Sequence, residues 1–191
     1  MSLKPFIGSN GLARIAAVSV GNPNNVVEDA GDGWVVNSAF SSNSGVLYIL
    51  TLNGNTNPVN ASATFAFKYP FAYSTAIVVT CHNVNSITTA DAIVVLQDQI
   101  YDAWGPLVAM APALTNTNMD PGLGLVFMQA NEPQLPWASP VPTPNFTPAV
   151  IGGPLGMTLL GYDLLPNAEI GPFSITASTT SDYIGASLIV N

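Results

Sequence analysis

The residues best suited to nucleophilic catalysis are Cys81 and His82, the one cysteine and the one histidine of the sequence. A thiol nucleophile needs a base beside it. The pair ends an apolar run, A-I-V-V-T-C-H, that is typical of a β-strand. Because adjacent side chains of a strand point to opposite faces, the two groups can form a dyad only if the strand ends between them. The pattern therefore favours a buried, inert thiol and a hydrogen-bonded histidine at a strand terminus.

Acidic residues are densest in the loop V-E-D-A-G-D-G, which holds Glu28, Asp29 and Asp32, and a second, weaker pair is formed by Asp98 and Asp102. Calcium binds carboxylate oxygens, so the three loop residues are calcium candidates. Asp-Gly steps are also typical of solvated turns, and the sequence favours the turn. One His and one Cys cannot build a zinc site of the usual nitrogen and sulfur type within one chain. We predict no cofactor, with calcium in this loop as the alternative.

The remaining catalytic class is glycan cleavage, which needs two carboxyl groups facing each other across a cleft. The sequence cannot place such a pair among its eleven acids. Trp34, Trp104 and Trp137 could stack on sugars, but the favoured interpretation is that each fills a core or an interface. Gly-x-Ser-x-Gly, Walker and paired-cysteine motifs are absent from the sequence. We expect no enzyme.

The charge content is the most informative property of the whole chain. Only 7% of the residues are charged, against about 25% in an ordinary soluble domain. A free monomer needs an interspersed charged surface to resist association, so we expect neighbouring subunits to cover much of this one. This predicts a permanent homo-oligomer, with a trimer as the favoured number. Phosphate is bound by Lys and Arg, so a net charge of −8 predicts no nucleic-acid partner.

The elements that must carry these residues are short apolar or alternating runs bounded by turn residues, spaced by roughly 8–12 residues as in sandwiches and barrels. The pattern predicts one all-β domain over residues 1–191, an antiparallel β-sandwich of jelly-roll type. The one helix candidate is Gln97–Trp104. The predicted strands are Arg14–Val20, Trp34–Val36, Gly45–Leu52, Ala63–Tyr69, Thr75–Cys81, Asp91–Leu96, Leu123–Ala130, Met157–Leu165, Phe173–Ser178 and Tyr183–Val190. The predicted core consists of Val46, Tyr48, Leu50, Phe65, Phe67, Ile77, Val79, Val94, Leu125, Phe127, Leu159, Ile175 and Ile189.

A proline-rich segment, Asn131–Pro154, interrupts this pattern with seven prolines in 24 residues. Its apolar side chains argue against a solvated tether. Two interpretations stay open: an arm that lies on a neighbouring subunit, or a loop packed on its own domain. The arm predicts interface residues Leu135, Trp137, Val141 and Phe146. The same prolines exclude a continuous membrane-spanning helix there, and we expect neither a membrane span nor a secretion signal.

Two segments carry a resemblance to a known class of proteins. Residues 67–80, F-K-Y-P-F-A-Y-S-T-A-I-V-V-T, resemble the strand-entry segment of phage tail-fibre and H-type-lectin-like sandwich domains. The ending, Y-I-G-A-S-L-I-V-N, is similar to the closing strand of such modules. More broadly, the composition, rich in Asn, Thr, Ala and Pro and poor in Lys, is similar to that of viral capsid and decoration proteins.

This resemblance implies a non-catalytic structural protein of a virion exterior, meaning a capsid, capsid-decorating (cementing) or spike subunit. Such a protein is made in the host cytoplasm, stands on the outside of the particle and binds other copies and other virion proteins. The alternative is a carbohydrate- or receptor-binding module of a phage tail fibre. The second alternative is a small glycan-cleaving domain.

Overall fold

The computed structural model describes residues 4–5, 12–31, 33–53, 64–96, 107–130, 140–177 and 182–191. These residues form an all-β protein of several antiparallel sheets and contain no helix. The all-β class predicted from the sequence is confirmed. No helix in the described ranges is long and apolar enough to cross a membrane.

The first sheet, called here the N-terminal sheet, contains β2 (Ala13–Val20), β4 (Trp34–Ser41), β5 (Val46–Asn53) and β7 (Ser74–Cys81) in the order β4-β5-β2-β7. Strand β2 lies at its centre and is buried along its whole length. Its Ala17 is opposite Ile49 on one side and Ile77 on the other. Both faces of β2 carry apolar side chains because other layers of the protein cover both faces of the sheet at this strand.

The second sheet, called the C-terminal sheet, has the order β1-β8-β17-β12-β14-β13, and β9 also pairs with β17. Its long strands are β12 (Gly122–Ala130), β14 (Gly156–Leu164) and β17 (Tyr183–Val190). Phe127 of β12 is opposite Leu159 and Ala186 in the neighbouring strands. The shorter strands are β1 (Lys4–Pro5), β8 (Ser86–Ile87), β9 (Asp91–Val95) and β13 (Ala149–Ile151).

Three small pairs of strands complete the molecule: β3 (Val27–Asp29) with β6 (Ala66–Phe67), β10 (Leu107–Ala111) with β16 (Phe173–Ala177), and β11 (Leu114–Thr115) with β15 (Glu169–Ile170). Buried side chains form three clusters. The central cluster unites the two large sheets, with Ile15, Leu47 and Ile77 from one and Leu125, Phe127 and Ile184 from the other. Tyr162 and Phe173 belong to the cluster between the C-terminal sheet and the pair β10–β16. Trp34, Tyr48 and Phe67 belong to the cluster between the N-terminal sheet and the pair β3–β6.

The predicted core residues are therefore distributed over three clusters. Eight of them are buried: Val46, Tyr48, Leu50, Ile77, Leu125, Phe127, Ile175 and Ile189. Five are half-buried at the cluster margins: Phe65, Phe67, Val79, Val94 and Leu159. The two aromatic residues Phe65 and Phe67 lie only partly under the surface because the pair β3–β6 is itself an outer layer.

The connectivity does not confirm the jelly-roll order. The four long strands of the first half, β2, β4, β5 and β7, form one sheet, and β9, β12, β14 and β17 of the second half pair in the other. In a jelly roll, Greek-key connections carry the chain repeatedly from one sheet to the other. Among the described strands, the chain passes from the C-terminal sheet to the N-terminal sheet between β1 and β2 and returns after β7, where Val84 and Ile87 join the central cluster.

Two strand predictions are corrected in detail. The predicted strand over Ala63–Tyr69 is reduced to the two residues of β6 within the described part of that range. The continuous apolar run of β7 predicts a strand buried on both faces, but only its inward row is covered, and Val78 on its outer face is 52% exposed. The covering pair β3–β6 reaches β4, β5 and β2 and stops short of β7. The helix candidate Gln97–Trp104 lies outside the described residues.

Candidate interaction surface

The structure separates the two residues that could have formed a nucleophile and its base. Strand β7 ends at Cys81, between the two residues, and this is the condition under which they could form a dyad. The Cys81 side chain is buried in the central cluster, however, whereas His82 is exposed in the bend that follows. Burial raises the pKa of the Cys81 thiol and so disfavours the thiolate that nucleophilic chemistry needs. The predicted inert thiol agrees with this environment.

The acidic loop forms a turn. Glu28 and Asp29 are exposed on β3, and Asp29 Oδ1 accepts a hydrogen bond from the Gly31 amide at 2.8 Å. Gly31 and Gly33 both have positive φ values, as tight turns require. Asp32 lies outside the described residues, as do Asp98 and Asp102 of the second acidic pair. Within the described ranges, no group of three or more His, Cys, Asp or Glu side chains could hold a metal ion.

Aromatic residues take different places. Trp34 is buried in the outer cluster of the N-terminal sheet, edge-on to Phe65 with ring centroids 5.5 Å apart, as expected of a core tryptophan. Trp104 and Trp137 lie outside the described residues. Exposed aromatic side chains instead include Tyr69, Phe71 and Tyr73, directly before β7.

These three aromatic residues belong to a continuous surface that we call the edge face, formed by Tyr69–Thr80 and by Pro140–Pro154. Neither stretch contains an Asp, Glu, Lys or Arg residue. They meet at one side of the molecule, where Tyr73–Ala76 and Ile151–Pro154 line a common groove. The large apolar side chains that the face exposes are Tyr69, Phe71, Tyr73, Val78, Val141, Phe146, Val150 and Ile151. A patch of this kind on a protein surface marks an interaction site.

The aromatic part of the edge face is held by an asparagine-rich turn. Asn25 Nδ2 donates to the Tyr69 carbonyl at 2.9 Å, and Asn25 Oδ1 accepts from the Tyr69 amide at 3.0 Å. Asn22 Nδ2 donates to the carbonyl of Pro70 at 3.0 Å, and the Gly21 amide donates to that of Tyr73 at 2.9 Å. The backbone of residues 69–73 is thus fixed. The Phe71 ring lies edge-on to Phe67, and the Lys68 ammonium lies 5.4 Å from the Tyr69 ring centroid, while Tyr73 is the most exposed of the three rings. The turn G-N-P-N-N is visible in the sequence, but Tyr69, to which Asn25 bonds, is 44 residues further along the chain.

The described part of the proline-rich segment is fixed to its own molecule. Val141 and Ser174 exchange two backbone hydrogen bonds of 2.9 and 2.8 Å, and Tyr162 Oη donates to the Pro142 carbonyl at 2.8 Å. The Asn145 and Phe146 amides both donate to the Gly161 carbonyl, at 3.0 and 3.3 Å. Residues 140–154 therefore lie along β14 of the same chain, as the loop interpretation expects.

Of the four predicted interface residues, two can be placed. Val141 is 62% exposed and Phe146 is 49% exposed, so both side chains are available to a partner. Leu135 and Trp137 lie outside the described residues. The absence of a side chain on Gly161 lets the Phe146 ring lie against β14, since an added Cβ would come within 2.8 Å of the ring.

Two concave sites occupy the edge face. A pocket of about 220 Å³ with a mostly apolar lining opens between the two large sheets, and Val79, Leu125, Phe146 and Leu159 are among its walls. A wider groove of about 500 Å³ separates Ser74–Ala76 of β7 from Ile151–Pro154. Apart from the phenols of Tyr69 and Tyr73, the edge face carries no titratable side chain. It is suited to binding and offers nothing for acid–base chemistry at neutral pH.

The opposite edge of the N-terminal sheet is protected. Strand β4 has a bulge between Val36 and Ser38, and the extra residue, Asn37, turns its side chain toward residues 88–90. Its Nδ2 donates to the Thr88 carbonyl at 3.1 Å and its Oδ1 accepts from the Ala90 amide at 2.9 Å. Bulges of this kind protect edge strands. Strand β7 has no such device within the described chain, which makes the edge face the open side of the molecule.

Comparison of the chain with protein-family models, with curated proteins and with solved structures finds no match. The inference of function therefore rests on the composition and on the edge face.

Proposed function

We propose that this chain is a non-catalytic structural subunit of a virion exterior, a capsid, decorating or spike protein that acts through contacts with other copies and other virion proteins. The observation that carries the proposal is the edge face: a rigidly held, apolar surface without charge on a chain whose net charge is −8. A monomer that displayed such a face would be prone to association. An obligate interface, by contrast, resembles a domain core cut in half and is apolar in this way.

The proposed assembly is a homo-oligomer, with three copies as the number we favour, in which the two large sheets of each subunit pack as a β-sandwich. The central cluster shared by both sheets supports the sandwich. The exposed Val141 and Phe146 support a contact through the proline-rich segment, whose fixed backbone loses little entropy when a partner binds.

Purified particles test this proposal. If the chain is an exterior structural subunit, it should be present in stoichiometric, symmetry-related copies, and intact particles should expose it to surface biotinylation or limited proteolysis. A chain that is absent from purified particles, or that is protected from labelling until they are opened, contradicts an exterior structural role.

A second function has its own supporting observation. Tyr69, Phe71 and Tyr73 are exposed rings on a fixed backbone, which suits stacking against sugars in a carbohydrate- or receptor-binding module of a tail fibre. Glycan-array binding that is lost on Tyr73→Ala and kept on Met119→Ala, an exposed apolar residue outside the edge face, supports this function. An array without any bound glycan excludes the glycans tested.

A further inference from the structure

The free edge of β7 is the part of the edge face with the most specific geometry. The strand pairs with β2 along eight residues, from Ser74 to Cys81, and with no other described strand. It contains no charge and no proline, and its pairing with β2 has no bulge. Its outer row includes Ala76 and the 52% exposed Val78. A long, flat, uncharged edge of this kind is a template for pairing with another strand.

One wall of the groove beside this edge is formed at its middle by two glycines. Gly152 and Gly153 lie opposite Ser74–Ala76, and no neighbouring atom of the described residues lies within 4 Å of the Cβ that either glycine lacks. Gly153 has a φ of +114°, which explains its identity, but Gly152 has no φ in the left-handed region. Neither its backbone nor the packing of the described residues requires a glycine at position 152. The open space beside both glycines leaves room for another backbone to approach this wall closely.

We propose that an extended strand of a second copy of this chain lies in the groove and adds to the free edge of β7. This inference rests on the proposed function and names the surface through which its subunits meet. Each copy carries a net charge of −8, so two copies approach most favourably through surfaces without acidic residues. The groove is such a surface, and β13 offers a fitting occupant, since its three residues are uncharged, exposed and paired on one side only, with β14.

Three substitutions in the full-length chain test the proposal by their effect on the oligomer dissociation constant, measured by analytical ultracentrifugation. Val78→Lys places a charge on the edge strand, and Gly152→Val fills the wall of the groove. We expect each to weaken association by about tenfold or more. The matched control is Val35→Lys on β4, an equally exposed valine at the opposite edge of the same sheet (48% against 52%), which should leave association unchanged at an ionic strength of about 0.15 M, where salt screens the added charge. Circular dichroism and thermal unfolding at low concentration establish that all three variants fold.

Hydrogen exchange supplies a second measurement that does not depend on any substitution. Backbone amides of β7 should exchange at least about tenfold more slowly in the oligomer than after dilution to the monomer, because strand addition protects them. Amides of β4 should exchange at the same rate in both. A wild-type chain that stays monomeric overturns the inference, as does an oligomer that Val78→Lys and Gly152→Val leave intact. In the latter case the particle experiment still decides the proposed function, because copies can meet through another surface.

Discussion

At the scale of single residues, Tyr162 connects the core to the edge face. Its buried ring lies against Phe173 with centroids 4.6 Å apart, while its hydroxyl donates to the Pro142 carbonyl at 2.8 Å. Tyr162→Phe keeps the ring and removes the donor, so we expect the free energy of unfolding to fall by about 1 kcal/mol. Urea denaturation measures this loss. A larger cost of several kcal/mol would mean that the hydroxyl organises more of the proline-rich segment than this one bond.

The same residue predicts a dependence of stability on pH. Burial raises the pKa of Tyr162 from 10.0 to about 12. Between these values the unfolded chain releases the phenol proton while the folded chain retains it, so the unfolded state gains stability as pH rises. The contribution of this phenol is fully present below pH 10 and is lost progressively toward pH 12. Denaturation at a series of pH values should show a decline over this range that is smaller in Tyr162→Phe, with the remainder due to Tyr48, Tyr183 and Cys81, whose pKa values burial also raises.

A glycine in β17 gives a prediction in which an added methyl group, rather than a removed hydroxyl, should destabilise the fold. A Cβ on Gly185 would overlap the backbone carbonyl of Met110, because β10 crosses close over β17 at this point. Gly185→Ala should therefore cost about 1–3 kcal/mol or more, as overpacked sites do. The matched control is Gly21→Ala, where the nearest neighbours of the new Cβ would lie at an ordinary 3.4 Å. Equal unfolding midpoints for the two variants would show that β10 moves away at little cost.

At the scale of elements, the bulge in β4 decides which edge of the N-terminal sheet is closed. Asn37 bonds the backbone of residues 88 and 90 through both atoms of its amide, and Ser38 Oγ adds a bond of 3.2 Å to the Ala90 carbonyl. We expect Asn37→Ala to lower the free energy of unfolding by about 1–3 kcal/mol, since partly buried backbone groups lose their partners. Chemical denaturation measures the loss. Asn37→Asp serves as the control, because it keeps the acceptor for the Ala90 amide and should cost less.

The sequence predicted the long strands because each is a single apolar or alternating run between turn residues. Strand β17 was predicted with its exact bounds, and β2 to within one residue. Strand β6 lies within the predicted strand Ala63–Tyr69, but β3, β11 and β15 were not predicted, because strands of two or three residues have no period to recognise. Strand β10 was missed because Pro106 and Pro112 flank it closely. The second half of β4 was missed because its residues Asn37 and Ser38 are polar and lie at the bulge.

The sequence predicted which residues of the candidate site are apolar, but not where they lie in the fold. The sequence identified Val141 and Phe146 as apolar residues available for a contact, and the structure shows both exposed. It could not predict that Phe146 lines a pocket together with Val79, because that neighbourhood depends on how β7 and the proline-rich segment come to lie at the same side of two different sheets. The exposure of Val78 depends likewise on how far the pair β3–β6 extends. Such long-range placement leaves no local pattern in the chain.

At the scale of the whole molecule, the edge face differs from the rest of the surface because it carries no carboxylate. Exposed carboxylates such as Glu28, Asp91, Asp120 and Glu169 lie outside the edge face, which carries none. Two copies that meet through this face bring apolar groups together while their net charges of −8 repel each other from a distance. The strength of association should then depend on salt in a direction that reveals the nature of the contact.

Raising the ionic strength from about 0.01 M to about 0.15 M shortens the screening length from roughly 30 Å to 8 Å and so weakens the repulsion between whole subunits. Because a contact through the edge face contains no ion pair that salt could weaken, we expect association to become stronger over this range. Sedimentation equilibrium at several salt concentrations measures the dissociation constant directly, and Val35→Lys, which reduces the net negative charge without touching the edge face, should show a smaller salt effect. Association that instead weakens with salt would indicate that subunits meet through paired charges, and it would place the contact on a different surface of the molecule.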